Sequence, residues 1–130
     1  MIVVDASALA PALCDDGPEG DTARARLRGQ PLAAPQLIDL ETASVVRRQL
    51  HAGFLDARRA ELALADLVDL PLHRASHRPL LARCWELRGN VTVYDAAYVA
   101  LAELLDVVLV TADARLARAP GLRCQLDLLS

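Results

Sequence analysis

The sequence predicts an α/β fold, a short and mostly parallel sheet flanked by helices in excess. Three observations carry that expectation. Short runs of β-branched and apolar residues, "IVV" at 2–4 and "VVLVT" at 107–111, have the form of parallel strands buried on both faces. Longer amphipathic segments, bounded by Gly, Pro or capping residues, fill most of the chain between them. The hydrophobic fraction is 54%, supplied by Ala, Leu and Val with only 3% aromatics, which suits Ala/Leu-rich helices packed on a small sheet.

Taken in order, strand 2–4 ends at Asp5, and "SALAPALCDD" starts a helix with Ser7 near its N-cap and Pro11 in its first turns. "GPEG" (17–20) reads as a turn, and "DTARARLRG" (21–29) as a helix stopping at Gly29. "PLAAP" (31–35) is a short extended piece between prolines. A long helical pattern runs from Gln36 to His51 and ends at Gly53; a further helix over 56–70 starts at Asp56. "LPLHR" (70–74) is a short strand or an extended connector. "SHRPLLARCWELRG" (76–89) reads as a helix with Ser76 as N-cap and Gly89 as stop. "TVYDAAYVALAELLD" (92–106) is a helix begun by Thr92, with Ala, Val and Leu filling one face. After strand 107–111, "ADARLARAP" (112–120) is a short helix halted by Pro120, and "LRCQLDLL" (122–129) forms an edge strand. No linker, repeat or low-complexity segment divides the chain, so residues 1–130 are expected to form one domain.

All 14 basic residues are Arg, which excludes any mechanism needing a Lys amine. A net charge of −3 disfavours a broad basic face for nucleic acid, but not an anionic substrate held through divalent cations. Cys14, Cys84 and Cys124 are scattered and odd in number, as expected of small buried hydrophobes in a reducing compartment. There is no signal-peptide pattern, and the longest apolar stretch is interrupted by Asp106, so a cytoplasmic protein without membrane contact is expected.

Of the 17 acids, four stand where surface charge would be unusual. Asp5 follows the first strand and Asp113 the strand ending at Thr111; in open α/β sheets ligands bind at the carboxyl ends of strands. Asp95 opens the helix at 92–106. Glu41 lies in "LIDLETASVV" on the side of Leu37 and Val45, and is expected to point inward, whereas Asp39, two residues before it, points outward. Each acid alone has an ordinary explanation, as a cap, a dipole partner or half of an ion pair. Gathered together they would repel one another, and with no Lys and no arginine expected beside them a divalent cation is the natural counter-charge. An all-oxygen site suits Mg²⁺, with Mn²⁺ as a substitute, rather than zinc.

"VVDASAL", "LIDLETASVVRR", "YDAAYVALAELL" and "LVTAD" resemble the four motifs of PIN-domain nucleases over essentially the full length, most of all the VapC-like toxin branch of toxin–antitoxin pairs. The resemblance implies a three-layer PIN-like fold and a metal-dependent endoribonuclease. It assigns Asp5, Glu41, Asp95 and Asp113 to the catalytic metal site, with Ser7 and Thr111 ordering it. Glu41 is either a ligand or the group that orients the attacking water. The implied partners are an RNA substrate, a VapB-like antitoxin and a second copy of the chain. The alternative is a PIN-like protein-interaction module with little or no nuclease activity.

Two other phosphate-handling folds also open with a strand-end Asp. Haloacid-dehalogenase-type phosphatases carry a second acid two residues on, where this chain has Ser7; response-regulator receivers need a Lys that is absent. His73 and His77 are four apart, but Pro71 and Ser76 keep them off a common helix, and no HExxH motif accompanies them. Trp85, Tyr94 and Tyr98 read as packing residues. Arg47, Arg48, Arg115 and Arg118 read as solvated helix faces, with Arg115 the candidate for an RNA phosphate contact.

Overall fold

The computed structural model describes all 130 residues. Five strands form one all-parallel sheet: β1 (Ile2–Val4), β2 (Leu32–Pro35), β3 (Leu72–Ala75), β4 (Leu109–Thr111) and β5 (Leu126–Leu128), in the order β3-β2-β1-β4-β5. All three extended or edge-strand expectations therefore resolve into strands. Seven helices intervene: α1 (Ala6–Cys14), α2 (Pro18–Leu27), α3 (Ile38–His51), α4 (Ala57–Asp69), α5 (Leu81–Glu86), α6 (Val93–Leu105) and α7 (Ala114–Ala117).

The strand order dictates where function can sit. From β1 the chain steps outward to β2 and β3, then returns to place β4 on the other side of β1. Val3 pairs with Leu109 and Val4 with Val110, so the carboxyl ends of β1 and β4 lie side by side. That is the topological switch point, where the two outgoing chains part and leave a crevice. Helices α1 to α4 pack on one another, and α6 packs on α5 and crosses β1, β2 and β4. Right-handed crossovers put these groups on opposite faces of the sheet, which gives the three layers.

The core follows from burial. All residues of β1, β2 and β4 are buried, and all but Pro35 and Thr111 join a continuous apolar cluster of 26 residues with α6. A satellite cluster of Cys14, Val46, Ala60 and Ala63 seals α1, α3 and α4. Helix α6 departs from expectation. Ala96 through Ala102 are all buried, so the helix is enclosed on nearly every side rather than on one face. Its alanines let neighbouring elements approach closely all round.

Local boundaries moved for identifiable reasons. Asp5, not Ser7, caps α1, its side chain accepting from Ala8 N–H. The "GPEG" turn is instead the start of α2: Pro18 sits in the first turn, where its missing N–H is harmless, and a Cβ on Gly20 would stand 1.8 Å from the Asp15 carbonyl oxygen. Ser76 caps nothing; a 3-10 turn at Arg78–Leu80 precedes a short α5, and His77 Nε2 instead accepts from Leu37 N–H at 3.0 Å, just before α3. That bond gives the histidine a structural task. At the far side, Arg83 Nε and Nη2 donate to both oxygens of Glu103, which also accepts from Arg123 N–H. Burial alone would raise the Glu103 carboxyl, but these donors outweigh it and hold the acid below its ordinary range.

Helix α6 ends at Asp106, the one non-glycine residue with a positive φ, at 55°. A Cβ is unfavourable in this left-handed conformation by about 1–2 kcal/mol. Asp106→Gly is expected to raise stability by about 1 kcal/mol, net of the added backbone freedom of the unfolded chain. An upward shift of the urea midpoint at constant slope would show it.

Candidate functional site

Construction of the site begins with the end of β1. Asp5 is only 5% exposed, yet it is fully hydrogen-bonded. Ser7 Oγ donates to its Oδ1 at 2.6 Å, Thr111 Oγ1 donates to its Oδ2 at 2.5 Å, and Ala8 N–H reaches Oδ1 at 3.2 Å. The two hydroxyls are satisfied on their other side by the next turn of chain. Ala112 N–H donates to Ser7 Oγ at 2.8 Å, and Asp113 N–H to Thr111 Oγ1 at 3.0 Å. Each hydroxyl has one proton and both protons go to Asp5, so the 3.2 Å Ser7–Thr111 contact is a consequence of sharing that carboxylate. Ser7 and Thr111 thus tie the ends of β1 and β4 together through Asp5.

Asp113 caps α7, its Oδ1 accepting from Arg115 N–H at 2.9 Å. Asp95 is placed by the α6 cap, where Thr92 Oγ1 accepts from Asp95 N–H at 3.1 Å. Glu41 arrives from α3, in the opposite layer, and accepts from the Tyr98 hydroxyl through Oε1 at 2.5 Å. Asp39 turns away from the site, but onto a protein partner: Arg74 Nε lies 2.8 Å from its Oδ2. All four acids, with Ser7, Ser44, Arg48 and Tyr98, line one cleft of about 360 Å³. Asp95 and Asp113 also border a second cleft of about 500 Å³, walled by Arg88, Asn90, Thr92 and Arg115.

The electrostatics are those of crowded acids. Burial pushes the Asp5 carboxyl above its ordinary value, Asp95 adds to the rise, and the three hydrogen bonds pull it back only in part. Glu41 is raised by burial, with Asp95 adding and Tyr98 opposing. Asp95 is raised by burial and by Asp113, against smaller contributions from Thr92 and Arg115. Tyr98 is pushed well above the ordinary phenol range by burial and by Glu41, so its hydroxyl keeps its proton. The acids ring the cleft rather than converging, and no three His, Cys, Asp or Glu side chains form a ready-made coordination sphere. Like charges facing one another dictate that spread.

Two expectations need correction. Arginine does stand beside the acids: Arg48, exposed on its helix face as read, also lines their cleft, and Arg115 Nε lies 4.0 Å from Asp113 Oδ1. Tyr98 is a packing residue, as expected, but its hydroxyl also serves the site. Position alone held one clue, since Tyr98 is one helical turn beyond Asp95 and shares its face. His73 lies exposed on β3, apart from the acids.

Comparison with known proteins identifies the family. The family model described as PIN domain matches residues 2–122. The chain is 43% identical to Ribonuclease VapC1 of Mycobacterium tuberculosis, over 98% of this chain and 96% of that protein. Among solved structures, M. tuberculosis VapC20, described as a sarcin-ricin loop cleaving toxin, superposes with a TM-score of 0.72 at 18% identity, covering 94% of this chain and 96% of that one. VapBC2 from Rickettsia felis, solved bound to a DNA fragment from its promoter, gives a TM-score of 0.69 at 15% identity over 100% of both chains. The two structures attest the fold; the family model and the near full-length identity to VapC1 place the chain in the PIN-domain family, within its VapC group.

Proposed function

We propose that residues 1–130 form a single-domain, Mg²⁺-dependent endoribonuclease, the toxin of a toxin–antitoxin pair, with Asp5, Glu41, Asp95 and Asp113 as its catalytic acids. The observation that carries this reading is that those four carboxylates line one cleft at the β1–β4 switch point. The similarity to a protein named Ribonuclease VapC1 supplies the substrate class.

The donor set fits a hard divalent cation. It is all carboxylate oxygen, and three of the four acids are raised by burial and mutual repulsion, Asp95 even with Arg115 opposing the rise. Asp5, Asp95, Asp113 and Glu41 would hold the ion, Mg²⁺ or Mn²⁺. When bound, such an ion acidifies water and screens the scissile phosphate for in-line attack. The chain's own residues do the rest. Asp5 is held rigid by Ser7 and Thr111. Asp113 keeps its cap through Oδ1, leaving Oδ2 for the cleft. Arg48 on one side and Arg115 on the other give the flanking phosphates of an RNA strand cationic partners.

Two surfaces fit the implied partners. A cleft of about 520 Å³ is lined by apolar Pro11, Val45, Phe54 and Leu55 and by acidic Asp15, Asp16 and Glu19. It suits an amphipathic, basic segment of a VapB-like antitoxin. Leu37, Leu81, Val93 and Tyr94 line an apolar depression of about 150 Å³, with exposed Trp85 one turn beyond Leu81, and suit a second copy of the chain. No helix is long and apolar enough to cross a membrane; the cytoplasm is the proposed location.

Purified chain freed of any partner is expected to cut structured RNA with Mg²⁺ or Mn²⁺ and to stop on EDTA. Asp95→Asn should lose more activity than the about 10- to 100-fold typical of changes outside the coordination shell. Absence of cleavage across a broad RNA panel, with growth arrest unchanged by Asp5→Asn, would favour the interaction module instead.

Stability supplies a second test. An acid whose carboxyl is raised by folding binds more protons native than unfolded, so its contribution falls as pH rises from its unfolded value through its folded one. The crowded acids therefore destabilise the metal-free protein at neutral pH. Asp95→Asn should raise the metal-free melting temperature and abolish the further rise that Mn²⁺ gives the parent chain, both readable by calorimetry.

A further inference from the structure

Three of the four acids are placed by the backbone beside them. Asp5 and Asp113 are helix caps, and Asp95 is a short side chain in a capped first turn. Glu41 is different. It lies beyond a helix start that has no side-chain cap of its own, and it projects a three-torsion arm from a half-exposed face. An arm of that kind gives up about 1.5–2 kcal/mol of rotamer freedom when held in one position.

Tyr98 does the holding. It is the largest fully buried side chain of the molecule, 1% exposed, and its ring belongs to the main core cluster. Enclosed on α6, it has only two torsions, and packing fixes both. Its hydroxyl emerges at the acid cleft and donates to Glu41 Oε1 at 2.5 Å, a short charge-assisted bond. The bond joins α3 to α6 across the sheet's carboxyl edge, against the repulsion that would drive Glu41 away from Asp95. A rigid group of the core therefore dictates the position of a flexible one at the surface.

We propose that Tyr98 is a positioning residue. By binding Oε1 it fixes the Glu41 arm and leaves Oε2 as the single oxygen that Glu41 offers to the cleft's chemistry. This rests on the four-acid reading and goes beyond it, because it makes a core tyrosine, which bears no charge and touches no substrate, part of the machinery.

The test compares Tyr98→Phe, Glu41→Ala and the double variant, reading Mn²⁺ affinity by titration calorimetry together with kcat and KM on RNA. Removing only the hydroxyl should weaken Mn²⁺ binding and kcat about tenfold while leaving KM for RNA within about twofold. In the Glu41→Ala background the same change should have no further effect, since neighbours acting through one contact are non-additive. Equal losses in both backgrounds, or none in either, would overturn the proposal. Glu41→Asp keeps the charge but shortens the arm beyond the reach of the hydroxyl. It should reproduce the loss even if Tyr98→Phe folds poorly, and parental Mn²⁺ affinity in it would also count against the role. Asp95→Asn separates the two levels. If it abolishes Mn²⁺ binding while Tyr98→Phe binds like the parent, the tyrosine's role alone fails; parental binding in both sinks the four-acid site as well.

Discussion

The structure turns on one buried carboxylate shared by two hydroxyls. Asp5 ends β1, and its partners Ser7 and Thr111 sit just past β1 and at the end of β4. Burying a carboxylate is unfavourable unless its lone pairs are met, and here three donors meet them. The same contacts set the approach of two non-consecutive strands. Backbone N–H groups of Ala112 and Asp113 then dock on those hydroxyls, which fixes the turn that carries Asp113. A single polar cluster therefore joins the strand pairing, the α1 cap and the placement of the second acid.

From that point the molecule is organised around an opposition between stability and chemistry. Acids are gathered where burial and mutual charge work against their ionised forms, and the groups beside them offset it only in part. The enclosed α6, with its run of small residues, lets the core close tightly around the helix that carries Asp95. The Arg83–Glu103 pair binds α5 to α6 on the flank away from the site and also anchors the backbone at Arg123, while Arg83 Nη2 reaches the Gly121 carbonyl. That network is well satisfied and contains none of the four acids. The strain is local; the support is spread over the core.

Much of the site was legible before any coordinates. Asp5 and Asp113 announce themselves because an apolar strand run breaks at each, and Thr92 announces the helix that carries Asp95. These signals depend on neighbours within three or four positions. Boundaries failed where local signals competed. A Gly-Pro-Glu-Gly stretch looks like a turn until the contact of Gly20 with the Asp15 carbonyl explains the glycine. Ser76 looks like a cap until His77 proves to be occupied by Leu37.

Taken by itself, then, the sequence determined the α/β class and the acids that stand at strand ends and helix starts, Asp5, Asp95 and Asp113, because strand ends and helix caps are local chemistry. Glu41 joined them through the motif resemblance. Only the tertiary structure decided that β4 returns to lie beside β1, that exposed Arg48 borders the acid cleft and that Asp39 is taken by Arg74. It also decided that Tyr98, 57 residues from Glu41, is the group that holds it. Those pairings arise from the crossover between β3 and β4 and from packing across the sheet, which no spacing along the chain encodes.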